Sequence, residues 1–153
     1  MKITTSRFGI IEVPEEEIIH MPQGMIGFSE YRDFVLLKHA EGSPFLWFQS
    51  VQKDTLAFVL IDPFLFKPDY EIQITEEDKR ELEWNGAQEG IEALVVVNLS
   101  DKAPSMRITA NLLAPIIINI KKRLAKQVIL YNSSYSHRYP LPLKTNGETS
   151  KIG

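Results

Sequence analysis

Three histidines, His20, His39 and His137, carry the side chain best suited to proton transfer or metal binding near neutral pH. They are widely separated, and none stands at HExxH-type spacing from another histidine or an acid. They read as strand-end or surface histidines, and no metal ligands are assigned. No GxGxxG or GxxxxGK[ST] run is present to cradle a phosphate, and no GxSxG elbow presents a nucleophile. Ser50 sits beside Gln49 in an apolar run with no base adjacent, and the two read as a hydrogen-bonded pair at a strand end. The chain has no cysteine. A disulfide framework, a thiolate metal site and a cysteine nucleophile are thereby ruled out, and a reducing compartment is favoured. No catalytic residue, cofactor site or small-molecule substrate is expected, and the protein is read as a non-enzyme.

The remaining polar groups are suited to gripping other proteins. Carboxylates cluster at Glu15, Glu16 and Glu17, and again from Glu76 and Glu77 to Glu83. Such runs are commonly solvated faces; the functional alternative is a patch that docks a basic partner and repels RNA. Lys121, Lys122, Arg123 and Lys126 read as a solvated basic turn that blunts sheet-edge pairing. The stretch NLLAPIIIN, residues 111–119, places Asn111 and Asn119 at the ends of an apolar run broken by Pro115. It reads either as a strand with a bent entry or as an exposed apolar strand offered to another protein. The candidate partner-binding residues are therefore Glu15, Glu16, Glu17, Glu76, Glu77, Asn111, Leu112, Pro115 and Asn119.

The elements that must position these groups are mostly short strands. At the centre is FLWFQSVQKDTLAFVLIDPF, residues 45–64, which reads as strands 45–52 and 55–62 joined at Lys53-Asp54. Its aromatic and β-branched content favours strand, and Asp62-Pro63 stops the second run. Further strands are predicted at 2–5, 8–13, 18–21, 34–39, 70–75, 91–99, 107–112, 116–120 and 127–131. Residues 70–75 show the period of a half-buried strand, with Tyr70, Ile72 and Ile74 alternating with Glu71 and Gln73. Met25, Ile26 and Phe28, in a Gly/Pro loop, are expected to tuck beneath the sheet, and Trp47 is read as core. One short helix follows Thr75, with Thr75 as cap and Asp78 reaching back in a capping box, and it ends at Asn85-Gly86. Residues 138–143 are expected to dock on the barrel. The whole reads as mainly β: a small antiparallel β-barrel-like single domain over 1–143 with one short helix, and a disordered tail at 144–153.

At 153 residues, 44% hydrophobic and 24% charged, the composition is that of an ordinary soluble globular protein. The N-terminus has no apolar signal core, and no apolar run approaches the ~20 residues of a membrane span. A cytoplasmic protein without membrane partners is expected. A net charge of −3 argues against direct nucleic-acid binding, which draws its affinity from a cationic face.

Up to about Pro142 the chain resembles the flagellar assembly factor family, FliW. The resemblance rests on PQGMIGF (22–28), SPFLWFQSV (43–51), LAFVLIDPF (56–64), PDYEI (68–72), TANLLAPIIIN (109–119) and QVILY (127–131), in that order and spacing. One departure lies after Asn119, where the family often carries a proline and this chain continues with Ile120 and a basic stretch. The resemblance implies a small β-barrel-like, non-enzymatic protein of the bacterial cytoplasm with two partners: newly made flagellin and the RNA-binding translational repressor CsrA. Flagellin that accumulates occupies the factor and leaves CsrA free to repress flagellin translation. Export of flagellin releases the factor to antagonise CsrA.

Two other classes share the architecture. A flavin-binding split-barrel oxidoreductase would recruit Arg107 with Thr109, or Arg138, to a phosphate, but no tight cluster forms in the sequence. A single-strand nucleic-acid barrel would stack bases on Trp47 and Tyr70.

Overall fold

The two apolar runs beside Lys53-Asp54 pair as an antiparallel hairpin in the computed structural model, which describes residues 1–87, 89–100 and 107–142. In chain order the strands are β1 (Lys2–Thr5), β2 (Gly9–Glu12), β3 (Ile19–His20), β4 (Asp33–Lys38), β5 (Leu46–Ser50), β6 (Ala57–Ile61), β7 (Ile91–Ser100), β8 (Arg107–Ala110), β9 (Ile116–Asn119), β10 (Leu124–Gln127) and β11 (Tyr139–Pro140). The single α-helix, α1, is Glu76–Glu81, and single 3-10 turns lie at Glu15–Glu17 and Pro63–Leu65. The protein is mainly β, as predicted. The tail expected at 144–153 lies outside the described residues.

Strands β7-β6-β5-β4-β3-β10-β9 form a ring that closes where β9 pairs with β7. All pairings in the ring are antiparallel except one: β10 meets β3 in parallel, through Leu124 and His20. β8 and β9 follow one another along β7, with residues 111–115 bulging between them. β11 extends the sheet beyond β8, so the expected docking of this segment is observed.

Period-2 alternation explains how one sheet serves three cores. Ile19, Phe34, Phe48, Leu60, Leu94, Ile116 and Ile118 fill the ring interior, where Phe34 and Phe48 stack with centroids 4.6 Å apart. Their neighbours face outward. Val35 packs under the separate β1–β2 hairpin with Ile3 and Val13. Ile61, Val95 and Ile117 pack under an outer layer that includes Tyr70, Leu82 and Leu130. Trp47 belongs to this exterior and not to the barrel core: it is half-buried, with the Arg7 guanidinium 4.1 Å from its ring and Phe8 edge-on to it.

Most predicted strands keep their place within one or two residues at each end, and the larger differences are these. Residues 70–75 keep their alternating exposure but join no ladder, because Ile72 and Ile74 lean on the outer layer and no described strand lies alongside. The last ring strand is Leu124–Gln127 and not 127–131, since Arg123 (φ 54) turns the chain early and sets Leu124 opposite Asn119. The expected basic connector is thus partly strand. α1 stops at Glu81, short of Asn85-Gly86, and just past its end Glu83 takes φ 51. Its start is as predicted: Thr75 Oγ1 accepts from the Asp78 N–H (3.1 Å), and the Asp78 carboxylate accepts from the Thr75 N–H (3.4 Å).

In the PQGMIGF loop, Gly24 has φ +67, and a Cβ there would stand 2.8 Å from the Ser29 Cα. Only glycine fits this approach. The loop divides its apolar side chains: Met25 is buried in the ring interior, whereas Ile26 and Phe28 face outward, contrary to the expected tucking of all three.

Candidate functional site

α1 is held to the barrel by buried and half-buried polar links, and these set what its surface can present. The Lys126 ammonium lies 2.6 Å from Asp78 Oδ1 and 2.7 Å from Glu81 Oε1. Burial alone would push the Asp78 carboxyl up, but the hydrogen bonds from Lys126 and Thr75 outweigh it and hold it below the usual range. Burial likewise opposes the Lys126 charge, and its bonds to Asp78 and Glu81 more than restore it, so its pKa is raised. Lys126 is therefore an internal anchor, in place of the solvated basic residue expected. At the helix C-terminus, Asn119 Nδ2 donates to the Leu82 carbonyl (2.8 Å) and, more loosely, to that of Glu83 (3.3 Å). These are carbonyls a helix end leaves without partners.

With Asp78 and Glu81 so engaged, the exposed acidic groups here are Glu76 and Glu77 on α1 and Glu83 just past its end. Glu76 pairs with Lys79 at 3.3 Å and Glu83 with Lys122 at 3.4 Å, both on the open surface, where such pairs contribute little. Glu15, Glu16 and Glu17 are all exposed on their 3-10 turn. Among the described residues, none of those three nor Glu77 makes an ion pair.

The 111–119 stretch is not an exposed apolar strand. β9 is buried at every position and paired on both edges, with β7 and β10. Leu112 is fully buried, Pro115 is buried, and Asn119 serves the end of α1. Asn111 Oδ1 accepts from the N–H groups of Leu113 and Ala114, both at 3.1 Å, and shapes the bulge. This is the bent-entry strand, and apart from the half-buried Asn111 and Leu113 its side chains are buried. Gln49 is also only partly satisfied: its Nε2 donates to the Ser50 carbonyl at 3.1 Å, while Oε1 is buried without a partner among the described residues.

Six of the exposed apolar side chains lie near one another in sequence: Phe8 with Ile10 and Phe64 with Leu65, which the sequence did not single out as surface, besides Ile26 with Phe28. Each pair has an aromatic backing, with Phe8 against Trp47, Phe28 against Phe58 and Phe64 against Tyr70. Apolar runs look alike in sequence whether they face in or out, so only the aromatic pairing marks these positions. A groove of about 400 Å³ lies beside α1, with Glu71, Gln73 and Thr75 on one wall and Ile129, Tyr131 and Asn132 on the other. Tyr70 Oη donates to the Leu112 carbonyl (2.6 Å), and the Glu71 N–H donates to Tyr135 Oη (2.8 Å), fixing one end of that first wall. Burial pushes the Tyr70 phenol up.

Among the described residues no three His, Asp or Glu side chains converge as a metal site would require. His20 bonds Asp33 at 2.7 Å and His39 lies 3.3 Å from Ser43 Oγ. No helix among the described residues is long and apolar enough to cross a membrane.

Residues 2–141 match the model of the FliW protein family. The chain is 44% identical over 140 residues to the flagellar assembly factor FliW of Geobacter sulfurreducens, covering 92% of this chain and 86% of that one. It is 39% identical over 141 residues to that of Bacillus subtilis, covering 92% and 96%. A crystal structure of the flagellar assembly factor FliW superposes with a TM-score of 0.85 at 39% identity, over 95% of this chain and 100% of that one. These similarities lend no support to the flavin-binding split-barrel alternative.

Proposed function

The chain belongs to the FliW family of flagellar assembly factors, and from that membership we propose that it binds flagellin and antagonises a CsrA-type translational repressor in the bacterial cytoplasm. It does so without catalysis. Free flagellin occupies the factor, and export of flagellin frees it to act on CsrA, which couples flagellin synthesis to export. The observation that carries this reading is the similarity to flagellar assembly factors over residues 2–141.

The acidic surfaces give it a physical basis. Glu15, Glu16 and Glu17, together with Glu76 and Glu77, are exposed and weakly paired or unpaired among the described residues. Carboxylates placed beside a basic RNA-binding partner speed encounter and oppose the phosphate backbone. A pull-down with this chain as bait from a motile bacterial lysate is expected to recover flagellin and CsrA. Reversing the charge of each acidic cluster is expected to weaken CsrA antagonism. Recovery of neither protein removes the reading; antagonism unchanged by both reversals removes the acidic mechanism alone.

A further inference from the structure

We propose that the groove beside α1 takes an extended segment of another protein, added as a strand along residues 71–74, with a basic side chain of that segment opposite Glu71. This stands beyond the flagellin and CsrA reading and borrows from it only that the occupant is a protein.

The first observation is a backbone prepared for pairing and left without it among the described residues. Exposure along 70–75 alternates with strand period: Tyr70, Ile72 and Ile74 face the outer core, and Glu71, Gln73 and Thr75 face the groove. The segment is pinned at both ends. Tyr70 Oη and the Glu71 N–H are bonded at one end, and the Thr75–Asp78 capping box holds the other. Between them, no hydrogen bond among the described residues reaches the N–H groups of Ile72, Gln73 and Ile74 or the carbonyls of residues 71–74. A backbone tied at both ends, whose donors and acceptors no described residue engages, is a template for another strand.

The second observation is the chemistry of the walls. Tyr131 is 81% exposed, unusual for so large a ring, and with Ile129 it offers an apolar surface opposite the open edge. Glu71 is the one charged side chain among the lining residues. The groove therefore carries negative charge with no cation in its walls, and the exposed Glu76 and Glu77 follow at the start of α1. An occupant with alternating apolar and basic side chains satisfies both walls. A second copy of this chain fits poorly, since its own edge would bring further carboxylates into the interface.

The test uses the full chain and a short synthetic peptide of alternating Lys and Val, with an alternating Glu and Val peptide as control. The Lys/Val peptide is expected to bind and to slow hydrogen exchange at the Gln73 amide, and the Glu/Val peptide to do neither. Gln73→Pro, which deletes that N–H, is expected to weaken binding about tenfold, the equivalent of one ordinary hydrogen bond, while Gln73→Ala leaves it nearly unchanged. Glu71→Lys should reverse the preference between the two peptides. A Lys/Val peptide methylated on its backbone nitrogens, tested on the unmodified chain, keeps the proposal open to refutation if Gln73→Pro fails to fold. Any of three results overturns it: no slowing of exchange within 71–75, binding indifferent to removal of backbone N–H groups on either side, or a Gln73 amide already protected without peptide. The last would mean that residues 143–153 or a second copy fills the groove.

Discussion

β9 and residues 70–75 both carry isoleucines beside polar residues, yet β9 is buried on both faces and paired on both edges, while 70–75 covers one face and pairs with nothing described. Ile116 and Ile118 fill the ring and Ile117 fills the outer layer. Ile72 and Ile74 merely lean on that same outer layer. Composition alone does not separate the two. What separates them is whether neighbouring strands arrive: β7 and β10 flank β9, and no described strand flanks 70–75. Of the two readings of 111–119, the strand with a bent entry is the one observed, and the half-buried strand expected at 70–75 lies unpaired among the described residues.

Proline substitutions give the sharpest contrast. Ile117→Pro is expected to cost about 3 kcal/mol or more by removing a ladder N–H from a central strand, and Gln73→Pro to stay within about 0.5 kcal/mol, both read from urea unfolding midpoints. Equal losses would erase the distinction. For the side chains, Ile118→Ala is expected to lose about 2–5 kcal/mol and Ile74→Ala about 1 kcal/mol or less, because a half-exposed position leaves little cavity.

The polar ties from the β9–β10 hairpin to α1 come next. Lys126→Ala is expected to destabilise by about 2–3 kcal/mol, since it strands Asp78 in a nearly dry site. Asp78 is depressed, so its contribution is complete above the ordinary aspartate value of about 3.9 and fades as pH falls below that toward its folded value. Lys126 is raised, so its contribution is complete below about 10.4 and fades as pH rises through its folded value. The gap between the parent chain and Lys126→Ala should therefore close in acid. A gap that persists unchanged in strong acid would place the stabilisation in packing of the lysine stem. Asn119→Ala, which leaves the Leu82 carbonyl without its donor, is expected to cost about 1–2 kcal/mol in the same measurement.

Much of the architecture was legible because local chemistry and global fold agree. Strand-type runs around Lys53-Asp54, the four isoleucines after Pro115 and the Thr75–Asp78 capping box each specify their element without help from distant residues. The misplacements all involve partners far along the chain. Lys126 looked solvated because Asp78 is 48 residues away. Asn119 looked like a contact residue because the helix end it serves lies 37 residues earlier. Trp47 looked internal because period-2 alternation was obscured where consecutive residues are all apolar or aromatic, as in Phe45-Leu46-Trp47-Phe48. Exposed pairs such as Phe64 and Leu65 left no mark in composition, since their outward orientation depends on the turn after Asp62.

Closure of the ring depends on two late arrivals, β9 against β7 and the single parallel pair between Leu124 and His20. While the chain is being synthesised, β3 and β4 emerge early, but the outer edge of β3 stays bare until residue 124 has left the ribosome. β7 likewise waits for residues 116–119. Until then the nascent sheet keeps two unpaired, sticky margins, and the ring closes only once residues 116–127 have emerged.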